Sequence, residues 1–353
     1  MGDTSPTLVT IPCNSWRKPT HRKKVRNKFG HLPITHSDTL LGRMMMADAR
    51  QIIPGTTYFL TRRCSERRYF LRPDGFIVRA FLFILGCALQ RYNVSLVACC
   101  VMGNHWHAVV VDWDGKLPRF TAMVHRLVAK CTNVFRNRWE AMWASSSYSA
   151  IPLHTADDVI DKIVYTLANP VRAGLVAKVE EWPGLLLGPQ NGLTIVHQAA
   201  KPNRFFRKKS RTIPGATSIQ LVKPPPLDHV SEEDYVAWVA GRLSHRVDEV
   251  AVELENEDRV VLGAEAVLEV DPNSAPSSWE PKRTLDPKII ARDTALRIQL
   301  IAIRQAFLSA YRRARIRWCN GNRRVQFPAG TYLMKHLHRA DCASPCIEEL
   351  LAA

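Results

Sequence analysis

Between residues 54 and about 185 the chain alternates apolar stretches of strand length with longer stretches of helical period, and few folds accept that order. Thr56-Thr57-Tyr58-Phe59-Leu60-Thr61 is β-branched and aromatic and reads as a strand. Residues 76–92 place apolar side chains at helical spacing. Residues 94–102 are an apolar run of strand length, and residues 105–112 read as the next strand, with Asn104 at the turn between them. A second long helix is expected over 120–139, carrying Arg126, Lys130, Arg136 and Arg138. A third is expected over 157–169: Asp157 and Asp158 suit a first helical turn, and Pro170 is expected to end it. The order β-α-β-β-α predicts an α+β fold, a ferredoxin-like antiparallel sheet with packed helices.

The flanks differ. Residues 1–53 read as a basic arm, in which Arg17, Lys18, Arg22, Lys23, Lys24, Arg26 and Lys28 meet almost no acids. Residues 191–230 are rich in basic residues and proline and read as a linker or surface loop, with Arg204, Arg207, Lys208, Lys209 and Arg211 around Phe205 and Phe206. Residues 231–353 read as a mainly helical C-terminal extension, first acidic, then basic around Arg312, Arg313, Arg315 and Arg317. With a formal net charge of +17, the default partner is a polyanion, most commonly nucleic acid. No stretch approaches the ~20 apolar residues that span a bilayer. No signal-peptide core precedes the folded region, so a cytoplasmic protein without a membrane partner is expected. Nine cysteines without framework spacing suit reduced thiols. His336, His338, Cys342 and Cys346 match no attested zinc spacing.

Two groups of residues carry chemistry. In His105-Trp106-His107 the imidazoles lie two apart, so on a strand they share one face while Trp106 turns to the other. Two such imidazoles can hold one divalent metal, although the same pair fits ordinary histidines on a half-buried strand. Two histidines also leave a metal in need of a third ligand. Tyr165 and Asn169 stand at i and i+4 of the third helix and share a face. A phenol is a nucleophile and an amide oxygen a hard ligand. Read alone, the tyrosine fits a core or boundary position and the asparagine a helix terminator.

Taken together, Met102-Gly103-Asn104-His105-Trp106-His107 and Tyr165-Thr166-Leu167-Ala168-Asn169-Pro170-Val171-Arg172-Ala173-Gly174, with Trp182-Pro183 beyond, resemble the motifs of the REP-associated tyrosine transposases. These are a branch of the single-tyrosine transposases that carry two histidines around a hydrophobic residue (the HUH motif). The resemblance covers about residues 54–190, so that a transposase domain is expected there. It implies Tyr165 as the nucleophile and His105, His107 and Asn169 as ligands of Mg2+ or Mn2+. It implies transesterification on single-stranded, hairpin-forming DNA through a 5′-phosphotyrosine and a free 3′-OH. Arg126, Lys130 and Arg172 are candidate phosphate contacts. Some relatives are dimers in which the tyrosine helix serves the partner's metal site, so a homodimer is one implied state. The chain departs from typical relatives in its length, and Tyr148 is a rival nucleophile whose position fits the motif poorly. Two other readings stay open: a domesticated DNA-binding protein without catalysis, and a metal-dependent nuclease that uses water.

Overall fold

The computed structural model describes residues 49–145, 148–203, 205–207, 212–278 and 288–345. Chain contacts divide Met1–Ala47 from Asp48–Ala353, and every described residue belongs to the second part. The basic residues 17–28 lie outside the described residues, as do Arg204, Lys208, Lys209, Arg211 and Cys346.

The elements follow in the order β1 (Thr56–Arg63), α1 (Gly75–Tyr92), β2 (Val94–Val101), β3 (His105–Asp112), α2 (Leu117–Phe135), β4 (Ser149–Leu153) and α3 (Ala156–Leu167). The sheet runs β4-β1-β3-β2, extended by β5 (Leu186–Leu187), and every neighbouring pair is antiparallel. This is the ferredoxin-like arrangement that the sequence predicts.

Such a sheet usually leaves one face open; here both are covered. On one face Trp106 of β3 meets Phe81 of α1, with ring centroids 5.4 Å apart, and His125 of α2, at 5.7 Å. On the other, His107 of the same strand meets Tyr165 of α3 at 5.4 Å. Double coverage explains why β2 and β3 are apolar along their length rather than alternating. α1 is long and apolar enough to cross a bilayer, but it lies in this core, with Ile77, Phe81, Phe83, Ile84 and Leu85 buried.

The helix ends have local causes. α2 starts at Leu117, ahead of the expected residue 120, because the carboxylate of Asp112 accepts from the N–H groups of Lys116 and Leu117, both at 2.8 Å. Pro118 sits in that first turn, where a missing N–H costs nothing. The helix ends at Phe135, short of the expected residue 139, and Asn137 takes a left-handed conformation at φ 50°. α3 is capped by Thr155, whose hydroxyl accepts from the N–H of Asp158 at 3.1 Å. Pro170 does not end the helical path. After Ala168 the chain makes a further turn, α4 (Asn169–Arg172), in which Pro170 occupies an early position that needs no N–H.

Residues 191–230 are more than a linker. They hold a hairpin of β6 (Val196–Ala200) and β7 (Ala216–Gln220) packed on α1. A Cβ on Gly86 would come within 2.6 Å of the Thr217 hydroxyl, so the helix needs glycine there to admit β7. The extension begins with α5 (Glu232–Asn256), capped by Ser231. Its Tyr235, Val239, Leu243, Val250 and Leu254 enter the same core as the sheet. α6 (Ala264–Glu269), α7 (Thr294–Cys319) and α8 (Tyr332–His338) follow. A small second cluster joins Ala314, Val325, Phe327, Met334 and Ala340, and the N–H of Ile52 donates to the Gly330 carbonyl at 3.0 Å.

Candidate active site

The site is built on β3 and α3. Strand alternation sends His105 and His107 to the α3 face, where their ring centroids stand 4.8 Å apart and nearly perpendicular. His107 is buried and stacks flat on Phe59 of β1 at 5.3 Å. The ring of Tyr165 meets His107 at 5.4 Å and Phe59 at 5.8 Å, edge-on to both. The histidines and the tyrosine, 58 positions apart from His107 to Tyr165 (165 − 107), thus share one aromatic cluster within a single chain.

The proton on His105 follows from its neighbour. The Asn104 amide nitrogen donates to the Arg67 carbonyl at 3.1 Å, so its oxygen faces the other way, toward Nδ1 of His105 at 2.6 Å. An amide oxygen only accepts, so Nδ1 carries a hydrogen, and in the neutral ring the lone pair is then on Nε2. Nδ1 of His107 lies 2.8 Å from the Thr61 hydroxyl. Burial first, then the charges of His105 and Arg63, holds the His107 pKa well below the usual imidazole value. Its ring is therefore neutral near pH 7, the form that binds metals.

Asn169 follows one turn after Tyr165 and is 8% exposed. Its side chain makes no hydrogen bond among the described residues, and its amide nitrogen is buried without a partner. The nitrogen is a donor and cannot bind a metal; the amide oxygen, which accepts no hydrogen bond among the described residues, is the atom that could. Among the described residues no three His, Cys, Asp or Glu side chains gather as a metal cluster. The donors that could hold a divalent ion are the two imidazoles, which the structure brings together, and the Asn169 amide oxygen one turn after Tyr165, a mixed nitrogen and oxygen set of the kind that suits Mn2+.

The three candidate phosphate contacts separate. The Arg172 guanidinium lies over the Tyr165 ring, 4.7 Å from its centroid. Arg126 and Lys130 are exposed on α2, across the sheet from the histidines. Arg126 instead lines an open groove of about 610 Å³ with Arg91, Tyr92, Lys116 and Arg119. Tyr148 also lies away from the metal candidates. It packs against His125 at 5.4 Å, under the Arg50 guanidinium at 4.0 Å, with its hydroxyl buried. In the C-terminal part, Cys342 donates to the carbonyls of Thr331 and Ala340, while His338 packs on Trp318.

Sequence reasoning missed Phe59, Thr61 and Lys162. Phe59 and Thr61 stand on β1 at the alternate spacing that faces the histidines, but the pairing of β1 with β3 had to be known to select them. The Lys162 ammonium lies 5.2 Å from the Tyr165 centroid, and its i, i+3 spacing from the tyrosine was a readable signal.

No protein-family model matches the chain, and no curated protein matches it. Among solved structures the chain is similar to that of a REP-associated tyrosine transposase bound to a REP hairpin. The identity is 20%, over 40% of this chain and 81% of that one, with a TM-score of 0.33. What the chain does has to be read from the site itself.

Proposed function

We propose that the chain cleaves and rejoins single-stranded DNA by transesterification, as a transposase does, with Tyr165 as the nucleophile. The observation that carries this reading is the meeting of one phenol with two imidazoles on a strand–helix interface, His107 to Tyr165 at 5.4 Å and His105 to His107 at 4.8 Å. A buried, neutral His107 beside a His105 whose Nδ1 hydrogen is held by Asn104 favours metal binding over structural packing, and a positive chain of +17 favours a nucleic-acid substrate.

In this reading His105, His107 and Asn169 hold Mn2+ or Mg2+, which supplies Lewis-acid polarisation of the scissile phosphate. The Tyr165 phenol gives its proton to solvent and its oxygen bonds to phosphorus. The bond from phosphorus to the 3′ oxygen breaks, and that oxygen takes up a proton. The products are a 5′-phosphotyrosine and a free 3′-OH, and the reverse step rejoins DNA without an external energy source. Phe59 and Thr61 orient His107, and Asn104 orients His105.

The test is incubation with labelled single-stranded hairpin DNA and Mn2+, followed by denaturing electrophoresis. A protein–DNA adduct that is lost in Tyr165→Phe supports the reading. Cleavage that persists in Tyr165→Phe with no adduct points to a water nucleophile. Tight binding without cleavage points to a DNA-binding role.

A further inference from the structure

Two cations flank the tyrosine, and among the described residues neither is in a direct ion pair. The Lys162 ammonium lies 5.2 Å from the Tyr165 centroid and 5.7 Å from that of Phe59; the Arg172 guanidinium lies 4.7 Å from Tyr165. Both side chains are half-buried, and neither makes a hydrogen bond or ion pair among the described residues.

That isolation is built. Asp158 stands at i−4 from Lys162, the spacing at which a helix normally forms such a pair. Asp158 is instead buried, with one oxygen accepting from the Thr155 hydroxyl at 2.8 Å and the other from the N–H of Arg292 at 3.0 Å. The next acid, Asp161, is held by Arg242 at 2.8 Å and by Arg292 at 2.6 Å. Both arginines belong to the C-terminal extension, which thereby engages Asp158 and Asp161 and leaves Lys162 without a direct ion pair among the described residues. Asp161 and Asp158 still act on Lys162 through space, but with their oxygens held elsewhere and Arg172 opposing them, the half-buried ammonium keeps charge that an arriving anion would meet. Burial, ahead of any charge, pushes the Lys162 pKa down.

We propose that Lys162 and Arg172 form a clamp for the scissile phosphodiester, binding its non-bridging oxygens beside Tyr165 and keeping hold of the phosphate once it is esterified to the phenol. This rests on the DNA-cleaving reading above and adds the group that receives the phosphate charge. The two cations neutralise charge; the bonds made and broken are those of the transesterification.

The test compares a hairpin oligonucleotide carrying an ordinary phosphodiester at its mapped cleavage position with one carrying a neutral methylphosphonate there. Wild type is expected to lose at least about tenfold in adduct formation on the neutral linkage. Lys162→Met is expected to be slower by a similar factor on the ordinary linkage and to lose little more on the neutral one, with Lys162→Arg restoring most of the rate. Equal rates for Lys162→Met and wild type, or equal sensitivity to the neutral linkage, overturn the clamp. Thermal unfolding of each variant separates loss of fold from loss of contact.

If wild type forms no adduct with any hairpin, the cleavage reading fails on its own. The clamp is then decided by methyl NMR of the full chain after reductive 13C-methylation of its lysines, with the Lys162 signal assigned by its absence in Lys162→Arg. A Lys162 signal that moves on addition of inorganic phosphate, while that of Lys130 stays, upholds the anion site; an unmoved Lys162 signal overturns it.

Discussion

Asn104 illustrates how one side chain sets the chemistry of another. Its amide, fixed by the Arg67 carbonyl, places the hydrogen of His105 on Nδ1. Asn104→Ala is expected to weaken Mn2+ binding about tenfold or more while leaving the fold intact, as other changes behind metal-binding histidines do; electron paramagnetic titration of free Mn2+ measures it. His125 gives a second residue-scale expectation. Burial, then the charges of Arg62 and Arg50, pushes its pKa down to about 3, so the folded chain resists a proton that the unfolded chain accepts near pH ~6.5. A depressed histidine destabilises the fold as pH falls below the unfolded value. Stability should therefore decline from pH ~6.5 toward pH ~3 with a slope of up to about 1.4 kcal/mol per pH unit from this group. Denaturant titrations at several pH values should show a shallower decline in His125→Gln, whereas an unchanged decline would remove His125 as its source.

Element by element, the sequence was legible where period and burial agreed. β3 is found at its expected bounds, because His105 and Asp112 are polar ends around an apolar run. The Tyr165 helix was readable through Asp157, Asp158 and its apolar period. Its continuation through Pro170 was not, since a proline that ends one helix and one that starts the next turn look alike in sequence. The β6–β7 hairpin was hidden because its strands are short and flanked by prolines and arginines, and only Thr217 and Ile219 of β7 face inward. Its packing makes Gly86 critical. Gly86→Ala is expected to cost about 1–3 kcal/mol through the collision with Thr217, and paired Gly86→Ala/Thr217→Ser should recover part of it in thermal unfolding. Of the site, the two histidines, Tyr165 and Asn169 could be named from spacing and resemblance. The flanking Phe59, Thr61 and Lys162 required the strand register and the packing of α3.

For the molecule as a whole, the two faces of the sheet divide the positive charge. Lys162 and Arg172 lie with the histidines, whereas Arg91, Lys116, Arg119 and Arg126 line the groove across the sheet. If single-stranded DNA lies only at the tyrosine, substitution of Arg126 and Arg119 should leave the salt dependence of binding unchanged; if it also follows the groove, each lost contact lowers the log–log salt slope by about 0.7. Fluorescence anisotropy at several salt concentrations distinguishes the two. The most direct measurement locates the covalent bond. The adduct formed on hairpin DNA with Mn2+ is digested with nuclease and protease, and its peptides are sequenced by mass spectrometry. The expected result is a nucleotide phosphate on Tyr165 in the wild type and no modified peptide in Tyr165→Phe. A nucleotide on Tyr148 or another residue, or strand cleavage with no modified peptide, would contradict it.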